Sequence, residues 1–221
     1  MRGRLVAVSP HLDDAVLGCG GLLDALGAAV VVTIFAGRPP ADRPLPEWDR
    51  ASGFDPGEDV IGARRAEDAE ALHHLGARPV WLDFLDAQYG DAPSAADVAD
   101  ALESALCEAE PATVCIPLGL FHSDHALAHA AALAVRVRHR RWRWLAYEEP
   151  MYRRVPDALH ARLRALSAAG ITAIPVDGVQ ATDGKRDALA CYASQLRALA
   201  TPGRPGYGDA LARERYWALM T

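Results

Sequence analysis

An α/β sandwich built on a mostly parallel sheet is the fold that this sequence predicts, and three observations carry the prediction. Short apolar runs alternate with longer helix-like segments from one end of the chain to the other. The runs show little polar alternation, as expected of strands buried on both faces of a parallel sheet. The 221 residues suit one α/β domain spanning positions 1–221. Strand–helix repetition of this kind implies right-handed crossovers, and hence a doubly wound, Rossmann-like arrangement with helices on both faces.

The elements follow in order. Strands are expected at Leu5–Ser9, Val30–Ala36, Pro79–Phe84, Thr113–Leu118, Trp144–Glu148 and Ile171–Val176, with helices over 16–28, 61–75, 95–109, 125–140, 157–169 and 183–199. Gly18-Cys19-Gly20-Gly21 follows the first strand but is no dinucleotide fingerprint. Leu23 stands where the third glycine belongs, and the run lies inside a helix, where it permits close helix–sheet packing. Cys19 reads as a small core residue. Gly37–Asp59, with Pro39, Pro40, Pro44, Pro46 and Pro56, breaks the rhythm and is too long for a routine connection. Following the second strand, it is expected to wall a substrate cleft, with Trp48 or Arg50 as contacts; the competing reading is a surface insertion.

Composition narrows the function. A net charge of -6 with no block of like charge argues against a nucleic-acid surface. Arg136, Arg138, Arg140, Arg141 and Arg143, interleaved with His139 and Trp142, read as the solvated end of a helix. No run reaches the ~20 apolar residues of a membrane span. The four cysteines make no CxxC pair, so reduced thiols in a cytoplasm are the expectation. The expected partner is a small molecule, and a homo-oligomer remains open.

Two short segments concentrate chemistry. Ser9-Pro10-His11-Leu12-Asp13-Asp14 ends the first expected strand, and His122-Ser123-Asp124-His125 follows the fourth. Ligands of open parallel sheets bind at the carboxyl ends of strands, so both segments can face one cleft. Crowded carboxylates there are costly without a cation, and a His/Asp mixture suits zinc. One Asp and two His make three protein ligands and leave a position for water, the pattern of a catalytic site. Taken alone, Asp13 and Asp14 read equally well as helix caps and His11 as a turn residue. His129, one turn beyond His125, reads as a neighbour of the site on the same helix face.

Together the two motifs resemble those of the PIG-L/LmbE family of zinc-dependent N-deacetylases. That family reads His-Pro-Asp-Asp-Glu and His-Pro-Asp-His where this chain has His11-Leu12-Asp13-Asp14-Ala15 and His122-Ser123-Asp124-His125. Arg64, Glu67, Ala71, Leu75 and Gly76 resemble its Leu-Gly-ending helix, and Lys185 through Ser194-Gln195 its closing helix. The resemblance implies His11, Asp14 and His125 as Zn2+ ligands and Asp13 as general base. It implies His122, oriented by Asp124, as oxyanion stabiliser or acid, and Arg64 as a substrate contact. Leu12, Ala15 and Leu120 depart from the pattern, none at a metal ligand. Tyr147–Tyr152 resembles a branch associated with bacterial secondary metabolism. The implied function is removal of an acyl group, an acetyl group first, from an amide nitrogen of a small polar, sugar-containing metabolite. A zinc amidase or esterase acting on a larger conjugate, or a non-catalytic binding protein of the same fold, are the alternatives.

Overall fold

The computed structural model describes residues 4–90, 92–204 and 206–220. Seven strands form one sheet: β1 (Leu5–Ser9), β2 (Val30–Thr33), β3 (Arg78–Trp81), β4 (Thr113–Pro117), β5 (Arg143–Tyr147), β6 (Thr172–Val176) and β7 (Tyr216–Met220). Their order is β3-β2-β1-β4-β5-β7-β6. β1 to β5 pair in parallel, and β7 runs antiparallel between β5 and β6. The doubly wound expectation holds over the first five strands. β7 is the strand that sequence periodicity missed, because Tyr216-Trp217-Ala218-Leu219-Met220 is a short run outside the strand–helix alternation.

The helices are α1 (Asp14–Leu26), α2 (Glu47–Ala51), α3 (Val60–His74), α4 (Ala95–Ala109), α5 (Ser123–Arg138), α6 (Ala158–Ala168), α7 (Asp183–Cys191) and α8 (Ala193–Leu199). The helix expected over 183–199 is two helices that break at Tyr192, whose hydroxyl is held by Asp68 at 2.7 Å. Within β1, alternate residues feed two cores. Val6 and Val8 join Leu102, Leu106, Ala128 and Ala132 on one face. Leu5 and Ala7 join Leu17, Leu72, Tyr147 and Leu189 on the other. Burial on both faces explains why β1 is apolar at four of five positions without alternation.

The glycine run in α1 marks close packing, as expected. A side chain at Gly18 would meet the ring of Tyr147 at 2.3 Å, and the Tyr147 hydroxyl donates to the Val8 carbonyl at 2.9 Å. At Cys19 the backbone leaves helical angles (φ -140°, ψ 21°). The N–H of Gly21, which an unbroken helix would aim at Leu17, donates instead to Glu214 at 2.7 Å. Lys185 Nζ donates to the Leu17 carbonyl at 2.8 Å and to Glu214 at 2.7 Å. A buried ion pair thus bridges the gap in the helix ladder and ties the C-terminal segment to α1. Leaving either charge alone there would cost about 3–5 kcal/mol.

One expectation needs correction. Arg136 is not part of a solvated end: it is buried, and its guanidinium donates to the Leu219 carbonyl at 3.0 Å. Gly37–Asp59 holds one short helix, α2. Cys19, Cys107, Cys115 and Cys191 are all free thiols, and Cys19 is fully buried. Among the described residues, no helix is long and apolar enough to cross a membrane.

Candidate active site

The strand order sets the place of the site. From β1 the chain winds outward through β2 and β3, then returns to pair β4 against the other side of β1. The crevice beyond the carboxyl ends of β1 and β4 is therefore the point where the winding reverses, the usual ligand position in open α/β sheets. His11, Asp13 and Asp14 follow β1; His122, Asp124 and His125 follow β4. All but Asp124 line a single cavity of about 570 Å³.

His11, Asp14 and His125 converge, each offering one ligand atom within 4.8 Å of the others. Asp14 Oδ2 lies 3.1 Å from Nδ1 of His11 and 3.2 Å from Nε2 of His125. Each imidazole is backed by a carboxylate on its far nitrogen. His11 Nε2–H donates to Asp124 at 3.0 Å, and His125 Nδ1–H donates to Glu149 at 3.2 Å. These partners set the tautomers, so two nitrogen lone pairs and a carboxylate oxygen face one point. Positive charge has to sit among them, either a proton on each imidazole or a cation in their midst. The two spacings from Asp14 suit neighbouring donors of a zinc ion, which at ~2.0–2.1 Å from a tetrahedral centre lie about 3.3 Å apart.

The electrostatics carry the same demand for positive charge. Burial works to lower the His125 imidazole, but the charge and hydrogen bond of Asp14, then Glu149, raise it to about 9. Asp13 is pushed up to about 8, chiefly by burial and then by the charge of Asp14. Asp14 is held well below the usual carboxylate range despite its burial, by His125 and His11.

The remaining motif residues take distinct places. Asp13 is buried, makes no capping hydrogen bond to α1 and lines the cavity. His122 caps α5: its Nδ1 accepts the backbone N–H of Asp124 at 3.2 Å. A neutral imidazole accepting at Nδ1 carries its proton on Nε2, leaving that nitrogen a donor. Burial, then the charges of His11 and His125, hold His122 below its ordinary value, which favours that neutral form. Here the geometry departs from the sequence reading, which had the Asp124 carboxylate orient His122. That carboxylate accepts from His11 and from the N–H of Ala87 at 3.1 Å, so a backbone amide orients His122 instead.

Arg64 and Trp48 both reach the cavity, and Arg50 is not among its lining residues. Arg64 is buried, paired with Asp49 at 2.8 Å and donating to Ser52 Oγ at 3.0 Å. Asp49 also accepts from the Tyr89 hydroxyl at 2.6 Å, so the proline-rich segment is bound into the fold through α2. Trp48 donates to Gln195 at 3.1 Å and stacks under Arg204. His129 is buried beside the site, its Nδ1–H donating to Pro117. Sequence reasoning missed Glu149, Tyr152 and Phe121 as parts of the site. The first two sit in the flagged Tyr147–Tyr152 stretch, but nothing in that run says which residue turns inward.

Known proteins are similar to this chain in fold or in sequence. The A40926 pseudoaglycone deacetylase Dbv21 is 28% identical, with a TM-score of 0.81 over 100% of this chain and 98% of that one. A triple mutant (Orf2*T) of a deacetylase of the teicoplanin biosynthetic pathway is 25% identical, with a TM-score of 0.78 over 98% of each chain. The 2'-N-acetylparomamine deacetylase of Streptomyces fradiae is 35% identical over 151 residues, which are 59% of this chain and 51% of that protein. This chain therefore matches about half the length of that relative. The family model described as GlcNAc-PI de-N-acetylase, PIG-L, matches residues 6–136, a span that holds both charged motifs. With that match covering more than half of its length, the chain belongs to the PIG-L family of de-N-acetylases.

Proposed function

We propose that this protein is a zinc-dependent deacetylase that frees an amine on a sugar-containing small molecule. The observation that carries the reading is the convergence of His11, Asp14 and His125 on one point, beside a carboxylate, Asp13, that is free of capping duty. The named relatives support the substrate class, since paromamine and glycopeptide deacetylases act on sugar-bearing molecules.

His11 Nδ1, Asp14 Oδ2 and His125 Nε2 would hold the zinc. When bound, the ion supplies Lewis acidity toward water and the amide carbonyl. Asp13 accepts the proton of the attacking water and later passes it to the departing amine. Burial and the charge of Asp14 raise its pKa, and the Arg64 guanidinium works the other way, toward the ionised base. His122 Nε2–H donates to the carbonyl oxygen as negative charge gathers there, a contribution on the order of 10²–10³ in rate. Arg64, clamped by Asp49, and Trp48 form the wall against which the substrate is placed. The free thiols fit a reducing, cytoplasmic setting.

The test combines metal analysis with product analysis. Purified protein is expected to carry one zinc per chain and to release acetate and free amine in equal amounts from N-acetylated amino sugars. Release of larger acyl groups in preference to acetate would favour the amidase or esterase alternative. A metal-loaded protein that binds such sugars without turnover would favour the binding protein.

A further inference from the structure

Phe121 stands one residue before His122 and is 73% exposed, more than any other large apolar side chain among the described residues. Its backbone is at φ +59°, a region where a bulky side chain crowds its own main chain. The N–H of His122 donates to the Leu120 carbonyl at 2.7 Å, closing a three-residue γ-turn centred on Phe121. Turns of this hand are rare and strained. Glycine would relieve the strain, and a polar residue would relieve the exposure. Strain and exposure at one residue beside an active site point to a use for the displayed side chain.

The ring has a defined setting. It lies 5.5 Å from the ring of Tyr152, which packs edge-on against His125 at 5.2 Å. Rings thus step from the surface down to the metal ligands. Phe121 also borders two hollows: the cavity of the site and a groove of about 440 Å³ against α6. Val155, Pro156, Ala158, Ala161 and Ala165 wall that groove. Its one cation, Arg162, donates to the Gly119 carbonyl, and its one carboxylate, Asp157, lies 3.9 Å from both His160 and Arg164. Asp157 is the sole carboxylate among the lining residues, and the apolar wall beside it suits a flat apolar group.

We infer that Phe121 and Tyr152, with the groove behind them, form a subsite for an aromatic group joined to the sugar whose amide is cut. The inference rests on the amino-sugar reading above, and its test separates the two. Dissociation constants of N-acetylglucosamine and of its 4-nitrophenyl β-glycoside are to be measured by calorimetry on metal-loaded wild type and Phe121→Gly. Glycine suits the positive φ, and melting temperature and metal content check that the variant is folded and loaded. The aryl glycoside is expected to bind wild type at least ~10-fold more tightly than the plain sugar, or about 1.4 kcal/mol, in the range of ring stacking. In Phe121→Gly the preference should fall below ~3-fold. An equal preference in both proteins, or none in wild type, overturns the subsite. Acetate release by wild type is scored independently: a Phe121-dependent aryl preference without acetate rejects the deacetylase reading and upholds the subsite.

Discussion

Glu149 stands 3.2 Å from His125, carboxylate Oε1 to imidazole Nδ1, across the ring from Asp14. The same oxygen accepts the N–H groups of Gly119 and Leu120 at 2.8 and 3.0 Å. One buried carboxylate from the end of β5 therefore orients a proposed metal ligand on α5 and fixes the loop that leads to it. Partners of this kind raise ligand basicity, and their loss costs about 10–100-fold in metal affinity. Glu149→Gln should weaken zinc binding by that factor in a dye-competition titration, with activity recovering at excess metal. Unchanged affinity would remove Glu149 from the site.

Asp124 gives a sharper comparison. Because its carboxylate backs His11 and not His122, Asp124→Asn should lower metal affinity about 10-fold or more, as Glu149→Gln does. A drop in kcat with metal affinity intact would return Asp124 to the role of partner to His122.

In the proposed reaction Asp13 moves protons without holding the metal. Asp13→Asn should keep its zinc and its melting temperature while kcat falls by at least ~10²-fold, the lower range for loss of a general base. Near-wild-type turnover would assign the proton to another group.

The Asp49–Arg64 pair tests whether the proline-rich segment is an insertion. Both side chains are buried, so Asp49→Ala leaves an uncompensated guanidinium and should destabilise the fold by about 3–5 kcal/mol in denaturant melts. Trp48→Ala, on the cavity wall, should raise KM with zinc retained. Replacing 42–56 by a Gly/Ser linker should therefore harm stability as well as KM; an unaffected protein would make the segment dispensable.

His129 predicts a pH dependence of stability. Burial, aided by the charge of Arg162, lowers its pKa from 6.5 to about 4. Between these values the unfolded chain binds the proton and the folded chain does not, so stability rises with pH across that window and is lost as pH falls. At about 1.4 kcal/mol per unit over about 2.5 units, the full effect is on the order of 3–4 kcal/mol. The stability difference between wild type and His129→Gln should shrink in favour of the variant from pH 7 to pH 4.5. A constant difference would mean that His129 does not titrate in this way.

Much of this was legible without coordinates. Strand runs such as Leu5–Ser9 announce themselves because burial on both faces leaves no place for polar side chains. His11, Asp14 and His125 were legible because charge concentrated at strand ends needs a reason, and their motifs are short and local. Phe121 was not legible: a lone phenylalanine reads as core, and only a backbone at φ +59° shows it turned out to the cavity mouth.

The sequence by itself determined most of the elements, β7 and α2 excepted, the two charged segments and the family that they resemble. These rest on local periodicity and on the chemistry of neighbouring residues, both of which a linear chain carries. Only the tertiary structure decided that β4 returns to the far side of β1, which brings residues more than a hundred positions apart onto one point. It also decided which carboxylate backs which imidazole, placing Asp124 on His11 and Glu149 on His125. Hydrogen bonds act over about 3 Å in space, and no spacing along the chain records which groups folding brings that close.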